Sequence, residues 1–137
     1  RKLCNGQVLG GFAGHTADAL TLFERFEARL EGASGNLKKA AVDLAKDWRT
    51  DRFLRRLEAM LLVGTREQIL LISGQGDVIE PDEPLASIGS GSPMALSAAK
   101  ALLRHTAFSS EEITKTALGI TAEQCIYTNS HITMETL

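Results

Sequence analysis

Two glycine-rich turns are the segments of this sequence whose residues are best suited to chemistry. The first runs from Gly10 to Asp18, reads GGFAGHTAD, and lies between a predicted strand and a predicted helix. The backbone N–H groups of such a turn can point into open space, where they bind an anion or the oxyanion of a reacting carbonyl. The alternative is a tight strand-to-helix connection in which glycine only permits the geometry, and composition alone favours this alternative.

The second turn, Gly89 to Pro93, reads GSGSP and has the same placement, after a predicted strand and at a predicted helix start. It lacks the lysine of a phosphate-binding P-loop and the GxSxG spacing of a nucleophile elbow. A catalytic serine is therefore not expected here. We interpret Ser90 as a hydrogen-bonding accessory and Ser92 as a helix cap.

The histidines and cysteines form no recognisable site. His15, His105 and His131 show neither HxH nor HExxH spacing, so we interpret each as a surface or capping residue rather than a metal ligand or a base. Cys4 and Cys125 lie far apart in sequence and match neither a disulfide-rich scaffold nor a CxxC zinc site. Free cysteines favour a reducing compartment, and we expect a cytoplasmic protein.

The elements that must position the first turn are a strand at Val8 to Ala13 and two helices after it. Thr16 is expected to cap the first helix and Asp18 to lie in its first turn, while Asn36 is expected to cap the second. Apolar residues recur every three or four positions, which predicts one buried face on each helix. The predicted buried residues are Ala19, Phe23, Phe26 and Leu30 in the first helix and Leu37, Ala40, Ala41, Leu44, Ala45 and Trp48 in the second.

The middle of the chain predicts a β-meander, with short apolar runs at Met60 to Val63, Gln68 to Ile72 and Val78 to Ile79 separated by turns. A further strand is predicted at Leu85 to Ile88. These strands lead into the second glycine turn.

Two more helices and two closing strands complete the predicted order. Ser92 and Pro93 mark the start of the third helix, and Ser109 with Glu112 forms a capping box for the fourth. The residues predicted to face inward are Ala95, Ala98, Ala99 and Leu102, followed by Ile113, Ala117 and Ile120. The closing strands are predicted at Cys125 to Tyr127 and at Ile132 to Met134. Helices and strands in segregated blocks favour an α+β fold over a doubly wound parallel sheet.

Length and composition limit the class of protein. A chain of 137 residues fits a single domain, residues 1–137, with its own core. A net charge of −2 with interspersed signs argues against nucleic acid as a partner, and no apolar run approaches the roughly 20 residues of a membrane span. The cluster from Asp47 to Arg56 is typical of a solvated face, although its arginines can also serve subunit contacts. Arg1 is not a methionine, so we expect the true amino terminus to lie upstream.

Several stretches, in order along the chain, resemble the HslV family of proteasome-like, ATP-dependent bacterial peptidases. Together they span nearly the whole sequence, which makes the resemblance specific. They are GFAG, TADA and TLFE near the amino terminus (11–14, 16–19 and 21–24), KAAV (39–42), LAKDWRTDR (44–52), IGSG (88–91) and CIYTN (125–129).

The resemblance implies an N-terminal nucleophile hydrolase fold, an αββα four-layer sandwich of two antiparallel sheets between helix layers, here incomplete at the amino terminus. It implies a homo-oligomer, a double hexameric ring that encloses a proteolytic chamber. It also implies a hexameric AAA+ unfoldase, HslU, which binds ATP and Mg ions and feeds unfolded protein substrates into that chamber.

The family's chemistry begins at its first mature threonine, which attacks the peptide carbonyl while its own α-amino group serves as base. Such a residue would precede Arg1, so we expect the chain as given to be inactive alone. Carried over by position, Gly14 is the expected oxyanion-hole amide and Ser90 the support of the nucleophile's amine. Gly11 and Ala13 should shape the substrate groove.

A sodium ion is the cofactor that the resemblance implies, held by backbone carbonyl oxygens in the turn that contains Ala122, Cys125 and Thr128. Ala122 stands where better-known members have glycine, which spares the carbonyl but restricts its backbone. His15 replaces another glycine and puts access to the groove in doubt.

Two other functions stay open at this point. The first is a non-catalytic ring scaffold or degenerate paralogue, which would dock the unfoldase through surfaces that include Arg1 and the Arg49 to Arg56 cluster. The second is a small anion- or phosphate-binding domain that uses its glycine turns, although the sequence offers no lysine or nucleotide motif for that role.

Overall fold

One antiparallel sheet and four helices make up the chain, and the computed structural model describes all residues 1–137. Two short 3₁₀ turns, Cys4–Gly6 and Leu54–Arg56, connect neighbouring elements. The elements in chain order are β1 (Lys2–Leu3), β2 (Val8–Gly14), α1 (Thr16–Gly32), α2 (Leu37–Thr50), β3 (Ala59–Gly64), β4 (Ile69–Ser73), β5 (Val78–Ile79), α3 (Ser92–His105) and α4 (Ser110–Gln124).

The five strands pair in sequence order, each antiparallel to its neighbour, so the predicted meander is confirmed. Strand β2 pairs with β3 from Leu9 to Gly14, with Gly10 opposite Val63 and Gly14 opposite Ala59. The last pair of this register places the first glycine turn directly beside the start of β3.

Helices α1 and α2 cover one face of this sheet and build the main core. The ten residues predicted to face inward on these two helices are all buried. All of them except Ala19 belong to one core cluster with alternate residues of the central strands, as expected when successive side chains of a strand point to opposite faces. The strand residues on this face are Leu61, Val63, Leu70 and Ile72.

The helix starts differ from the predictions at two of four positions. Asn36 caps α2 by accepting a hydrogen bond from the Lys39 N–H at 2.9 Å, as predicted. The prediction of Thr16 as a cap is wrong, because β2 ends at Gly14 and leaves His15 as the last extended residue, without a side-chain cap. Ser92 is likewise the first residue of α3 rather than its cap, since its hydroxyl donates to the Ser87 carbonyl at 2.8 Å.

Helices α3 and α4 pack mainly against each other. Ser109 and Glu112 form the predicted capping box, in which each side chain accepts a hydrogen bond from the other residue's N–H. Ala95, Ile113 and Ala117 are buried as predicted, whereas Ile120 is 41% exposed and does not face inward. The remaining inward positions predicted on α3, namely Ala98, Ala99 and Leu102, are half-buried.

Three predicted strands are absent. Leu85 to Ile88, Cys125 to Tyr127 and Ile132 to Met134 have irregular backbone. Their apolar residues are of types common in strands. A strand, however, also needs a neighbouring strand to which its backbone can hydrogen-bond, and no neighbouring strand pairs with these segments here. The chain therefore forms one sheet rather than two, and the opposite face of that sheet, which includes Leu62 and Leu71, is only half-buried.

No helix of the chain combines the length and the apolar character that crossing a lipid bilayer needs.

Candidate functional site

The first glycine turn is held against β3 by backbone contacts. Gly14 has φ of +115°, and a Cβ atom at this position would overlap the Glu58 carbonyl oxygen and lie 2.8 Å from the Ala59 Cα. The same Glu58 backbone accepts a hydrogen bond from the His15 N–H at 3.2 Å and donates one to the Asp18 carboxylate at 3.0 Å. Only glycine fits at position 14, and the turn around it is fixed at both ends.

Gly11 and Ala13 lie on the face of β2 that points away from α1 and α2. A Cβ atom added to Gly10, on the other face, would meet the side chains of Leu3 and Phe23 at 2.7 and 2.8 Å. A Cβ atom added to Gly11 would meet nothing within 4 Å. The space beside Gly11 is therefore open.

The second glycine turn adjoins the first. A Cβ atom added to Gly89 would lie 3.6 Å from the Cβ of Ala13, so the two turns are neighbours with room for about one methyl group between them. Ser90 follows directly and is exposed. The structure thus brings Ala13, Gly14 and Ser90 to one location, although they come from distant parts of the sequence.

The end of α4 supports this second turn from behind. A Cβ atom at Gly91 would lie 2.5 Å from Thr121 Cγ2 and 2.9 Å from Thr128 Oγ1. Thr121 is 1% exposed, and its hydroxyl donates to the Ala117 carbonyl within the helix at 2.7 Å. Gly91 is therefore required by close approach, and the turn and the helix end form one packed unit.

The three residues predicted to hold a cation lie together at this helix end. Ala122 is in the last turn of α4, Cys125 is its buried C-cap residue, and Thr128 donates its N–H to the Cys125 carbonyl at 2.9 Å. The Ala122 carbonyl receives no backbone hydrogen bond. A free carbonyl at the negative end of a helix suits a hard cation with oxygen ligands, so the residues present fit a sodium ion.

Side chains that could bind a metal ion or act as a base are not clustered here. No group of three His, Cys, Asp or Glu residues is arranged to bind a metal ion. His15, His105 and His131 are exposed, and the Nδ1 atom of His15 lies 3.7 Å from the Asp18 carboxylate. The Thr128 side chain, the Tyr127 backbone and Ser90 lower the pKa of the Cys125 thiol, because each would donate a hydrogen bond to its thiolate form; in its neutral form the thiol itself donates to Ser90. The polar groups that these segments offer are therefore mainly backbone atoms, and the residues brought together here include no cluster of titratable side chains.

The charged residues of the cluster from Asp47 to Arg56, which begins in the last turn of α2, are mostly exposed, but some of them make structural hydrogen bonds. Asp51 accepts hydrogen bonds from the N–H groups of Phe53 and Leu54 at 2.7 and 3.0 Å, which hold the pKa of its carboxyl below the ordinary value. Asp47 accepts a hydrogen bond from Arg29 Nε at 2.7 Å. A cleft of about 270 Å³ between α2 and the β4–β5 turn is lined by Lys46, Arg49 and Gly76 among others, and it contains none of the predicted site residues.

The sequence did not identify Glu58 and Thr121 as site residues, although each supports one of the two turns. Glu58 acts through its backbone atoms, which no residue pattern reveals. Thr121 lies at the buried spacing of α4, four residues after Ala117, and that spacing was the available signal.

This fold, a meander covered by two helices with a further helix pair and two facing glycine turns, is that of the proteasome-type N-terminal nucleophile hydrolases. The sequence profile of the proteasome subunit family matches residues 1–137, and the chain belongs to this family. The chain is 56% identical over 137 residues to the ATP-dependent protease subunit HslV of Desulfovibrio desulfuricans, a match that covers 100% of the chain and 77% of that protein. The sequence resemblance to HslV is thereby confirmed.

Solved structures give the same fold. The crystal structure of eukaryotic HslV from Trypanosoma brucei superposes with a TM-score of 0.91 at 43% identity, covering 96% of this chain and 75% of that one. Thiobacillus denitrificans BPH, solved in complex with epoxomicin, superposes with a TM-score of 0.66 at 20% identity, covering 90% of this chain and 71% of that one. The second likeness concerns the fold alone. The predicted α+β fold of the N-terminal nucleophile hydrolase type is confirmed.

Proposed function

We propose that this chain is a subunit of the proteolytic core of a two-component, ATP-dependent protease. The observation that carries the proposal is the 56% identity over the whole chain to a protein that is itself an ATP-dependent protease subunit. The proximity of the two glycine turns supports it, because a peptide bound along β2 would pass the Gly14 amide and the Ser90 hydroxyl together.

The reaction is hydrolysis of peptide bonds in unfolded proteins by a threonine at the amino terminus of the mature subunit. No internal threonine of this chain can take its place, because the mechanism needs the free amine of a terminal residue as base. Ser90 supports that amine, and the Gly14 amide stabilises the oxyanion of the tetrahedral intermediate. Gly11 and Ala13 border the groove in which the substrate lies.

A sodium ion is held by the carbonyl oxygens of Ala122, Cys125 and Thr128. Its positive charge there would offset the partial negative charge at the end of α4 and stiffen the segment behind the second turn. The free carbonyl of Ala122 supports this assignment.

The subunit assembles as a homo-oligomer, a double hexameric ring in the cytoplasm, and works with the AAA+ unfoldase HslU. ATP and Mg ions are bound by that partner and not by this chain. The alternative is a non-catalytic ring scaffold or degenerate paralogue that assembles and docks the unfoldase without cleaving substrate.

The experiment that separates these functions is a peptidase assay of the full-length protein encoded by the gene, with and without its ATPase and ATP. A protease subunit releases product from an unfolded protein only when the ATPase and ATP are present. A scaffold assembles to the same mass, measured by size-exclusion chromatography with light scattering, yet releases no product, and that result would overturn the proposal.

Gly14→Ala is the variant that tests the assigned site. We expect peptidase activity to fall about 100-fold or more, because the added Cβ collides with the Glu58 backbone and displaces the amide from the oxyanion. Gly35→Ala is the matched control, since Gly35 also has a positive φ, of +82°, but lies in the α1–α2 turn with open space around it. Equal losses of activity per assembled ring in the two variants would contradict the assignment of Gly14.

A further inference from the structure

A single hydrogen bond joins the second glycine turn to the end of α4, and it involves the Cys125 side chain. The Cys125 Sγ lies 3.7 Å from the Ser90 Oγ and donates to it. Sulfur is a weak donor, and distances of this length are usual for it. Cys125 is 7% exposed, so its thiol is held in place by the surrounding residues, while Ser90 itself is exposed.

Ser90 has no other side-chain hydrogen bond within the chain. A serine hydroxyl on an exposed turn can occupy three staggered rotamers, and a fixed donor on one side favours one of them. The backbone of the turn is restrained by Thr121 and Thr128 against Gly91, but those contacts do not act on the Ser90 hydroxyl. The thiol of Cys125 is thus the one group of the chain that selects where this hydroxyl points.

We propose that Cys125 is a positioning residue for Ser90, and that its thiol holds the Ser90 hydroxyl at the edge of the groove beside Ala13. This inference rests on the proposed function, in which Ser90 supports the amine of the catalytic threonine. The role is separate from that of the Cys125 carbonyl at the cation site, because the side chain and the carbonyl contact different partners: Ser90 Oγ and the Thr128 N–H respectively.

Removal of the thiol is expected to have a moderate effect. A neutral hydrogen bond contributes on average about 1 kcal/mol, which corresponds to roughly a fivefold change. Cys125→Ala should therefore lower kcat about two- to tenfold with little change in KM, because the substrate groove on β2 is untouched. Cys125→Ser keeps a donor of similar size and should restore most of the activity.

A double-mutant cycle with Ser90→Ala in the full-length protein, assembled with its ATPase, tests the inference. If Cys125 acts through Ser90, Cys125→Ala costs activity in the wild-type background and none in the Ser90→Ala background. Additive losses would overturn the positioning role and would indicate that Cys125 supports the fold. Cys4→Ala is the matched control, since Cys4 lies beside β1 and has no hydrogen bond to either turn.

A crystal structure of the Cys125→Ala variant gives a readout that does not depend on activity. We expect the Ser90 hydroxyl to occupy more than one rotamer while the backbone of Gly89 to Gly91 stays in place. One unchanged Ser90 rotamer would refute the inference even if the wild-type protein proved to be inactive. Conversely, an inactive wild-type assembly with a disordered Ser90 in the variant would refute the proposed function and leave the positioning contact intact.

Discussion

The two halves of this chain are built from helices of similar length, yet they are stabilised differently. Helices α1 and α2 lie on the sheet and share with it a cluster of 17 buried residues that includes Trp48, Phe23 and Phe26. Helices α3 and α4 contribute no residue to that cluster, and their buried hydrophobic side chains are Ala95, Ile113 and Ala117. A helix is stabilised mainly by packing its apolar face: the first pair packs on the sheet, whereas α3 and α4 pack mainly on each other.

The difference also separates the two parts of the candidate site. Gly14 belongs to the well-packed half, where the Glu58 backbone fixes it. Ser90 belongs to the other half and depends on the end of α4. Substitutions in the first half should therefore lower the stability of the whole molecule. Substitutions in the second half should affect only the second glycine turn and the helices that carry it.

The largest expected effect is the loss of stability caused by a substitution in the core between the sheet and helices α1 and α2. Phe26 is completely buried, so Phe26→Ala should lower the free energy of unfolding by about 3–5 kcal/mol through lost burial and the cavity it leaves. Leu20→Ala on the same helix is the matched control, because Leu20 is 42% exposed and its loss should cost less than about 1 kcal/mol. Urea denaturation at fixed protein concentration measures both values. Similar costs for the two variants would show that α1 is not seated on the sheet as described.

A smaller effect on stability is expected from substitutions on the two faces of β2. Gly10 and Gly11 are neighbours that lie on opposite faces, so a methyl group added to each tests one face. Gly10→Ala places a methyl group against Leu3 and Phe23 and should cost about 1–3 kcal/mol of stability by overpacking. Gly11→Ala meets open space and should leave stability within about 0.5 kcal/mol of the wild type.

In a peptidase assay, Gly11→Ala should change KM more than Gly10→Ala does, which is the reverse of the order expected for stability. The methyl group of Gly11→Ala narrows the groove and should raise KM, while Gly10→Ala acts on the covered face and should leave KM unchanged in the folded fraction. A KM that is unaffected by Gly11→Ala would mean that the substrate does not lie along this face of β2.

Much of the fold was predictable because hydrophobic periodicity identifies helices wherever one face is buried. The ten inward residues of α1 and α2, the meander and the caps at Asn36 and Ser109 were all read correctly from spacing. The predictions were wrong where strand formation depends on a neighbouring strand that is distant in sequence. Ile126 and Tyr127 have strand-forming side chains but are 90% and 80% exposed, since no neighbouring strand pairs with them.

The sequence predicted the two glycine turns of the candidate site, but it did not predict that they lie close together. The two glycine turns were visible as motifs, and the resemblance to a known family suggested roles for Gly14 and Ser90. Their proximity was not visible, because only the folded chain brings Gly89 near Ala13. Close approach of backbone to backbone, as between Gly14 and Glu58, leaves no pattern in side chains and could not be read from one sequence.

The smallest expected effects concern two carboxylates, one in each half, whose pKa values are lowered by hydrogen bonds. Asp51 accepts from the N–H groups of Leu54 and Phe53 beside α2, and Glu112 accepts from Ser109 at the start of α4. A carboxyl with a lowered pKa in the folded state stabilises it above the pKa of the unfolded state, and this contribution is lost as the pH falls through the folded value. Both contributions should therefore be complete at pH 7 and decline below about pH 4.

Asp51→Asn and Glu112→Gln keep the shape of each side chain but remove this pH dependence. Thermal melts between pH 7 and pH 3 should show that Asp51→Asn lowers the Tm of the whole molecule at pH 7 and flattens its fall at acid pH. Glu112→Gln should leave that Tm nearly unchanged, because α4 can fray while the main core stays folded. Its effect should instead appear as faster hydrogen exchange of the α4 amides alone. A large drop in global Tm from Glu112→Gln would mean that the second helix pair is coupled to the core, and that Ser90 is held by the whole fold rather than by the end of one helix.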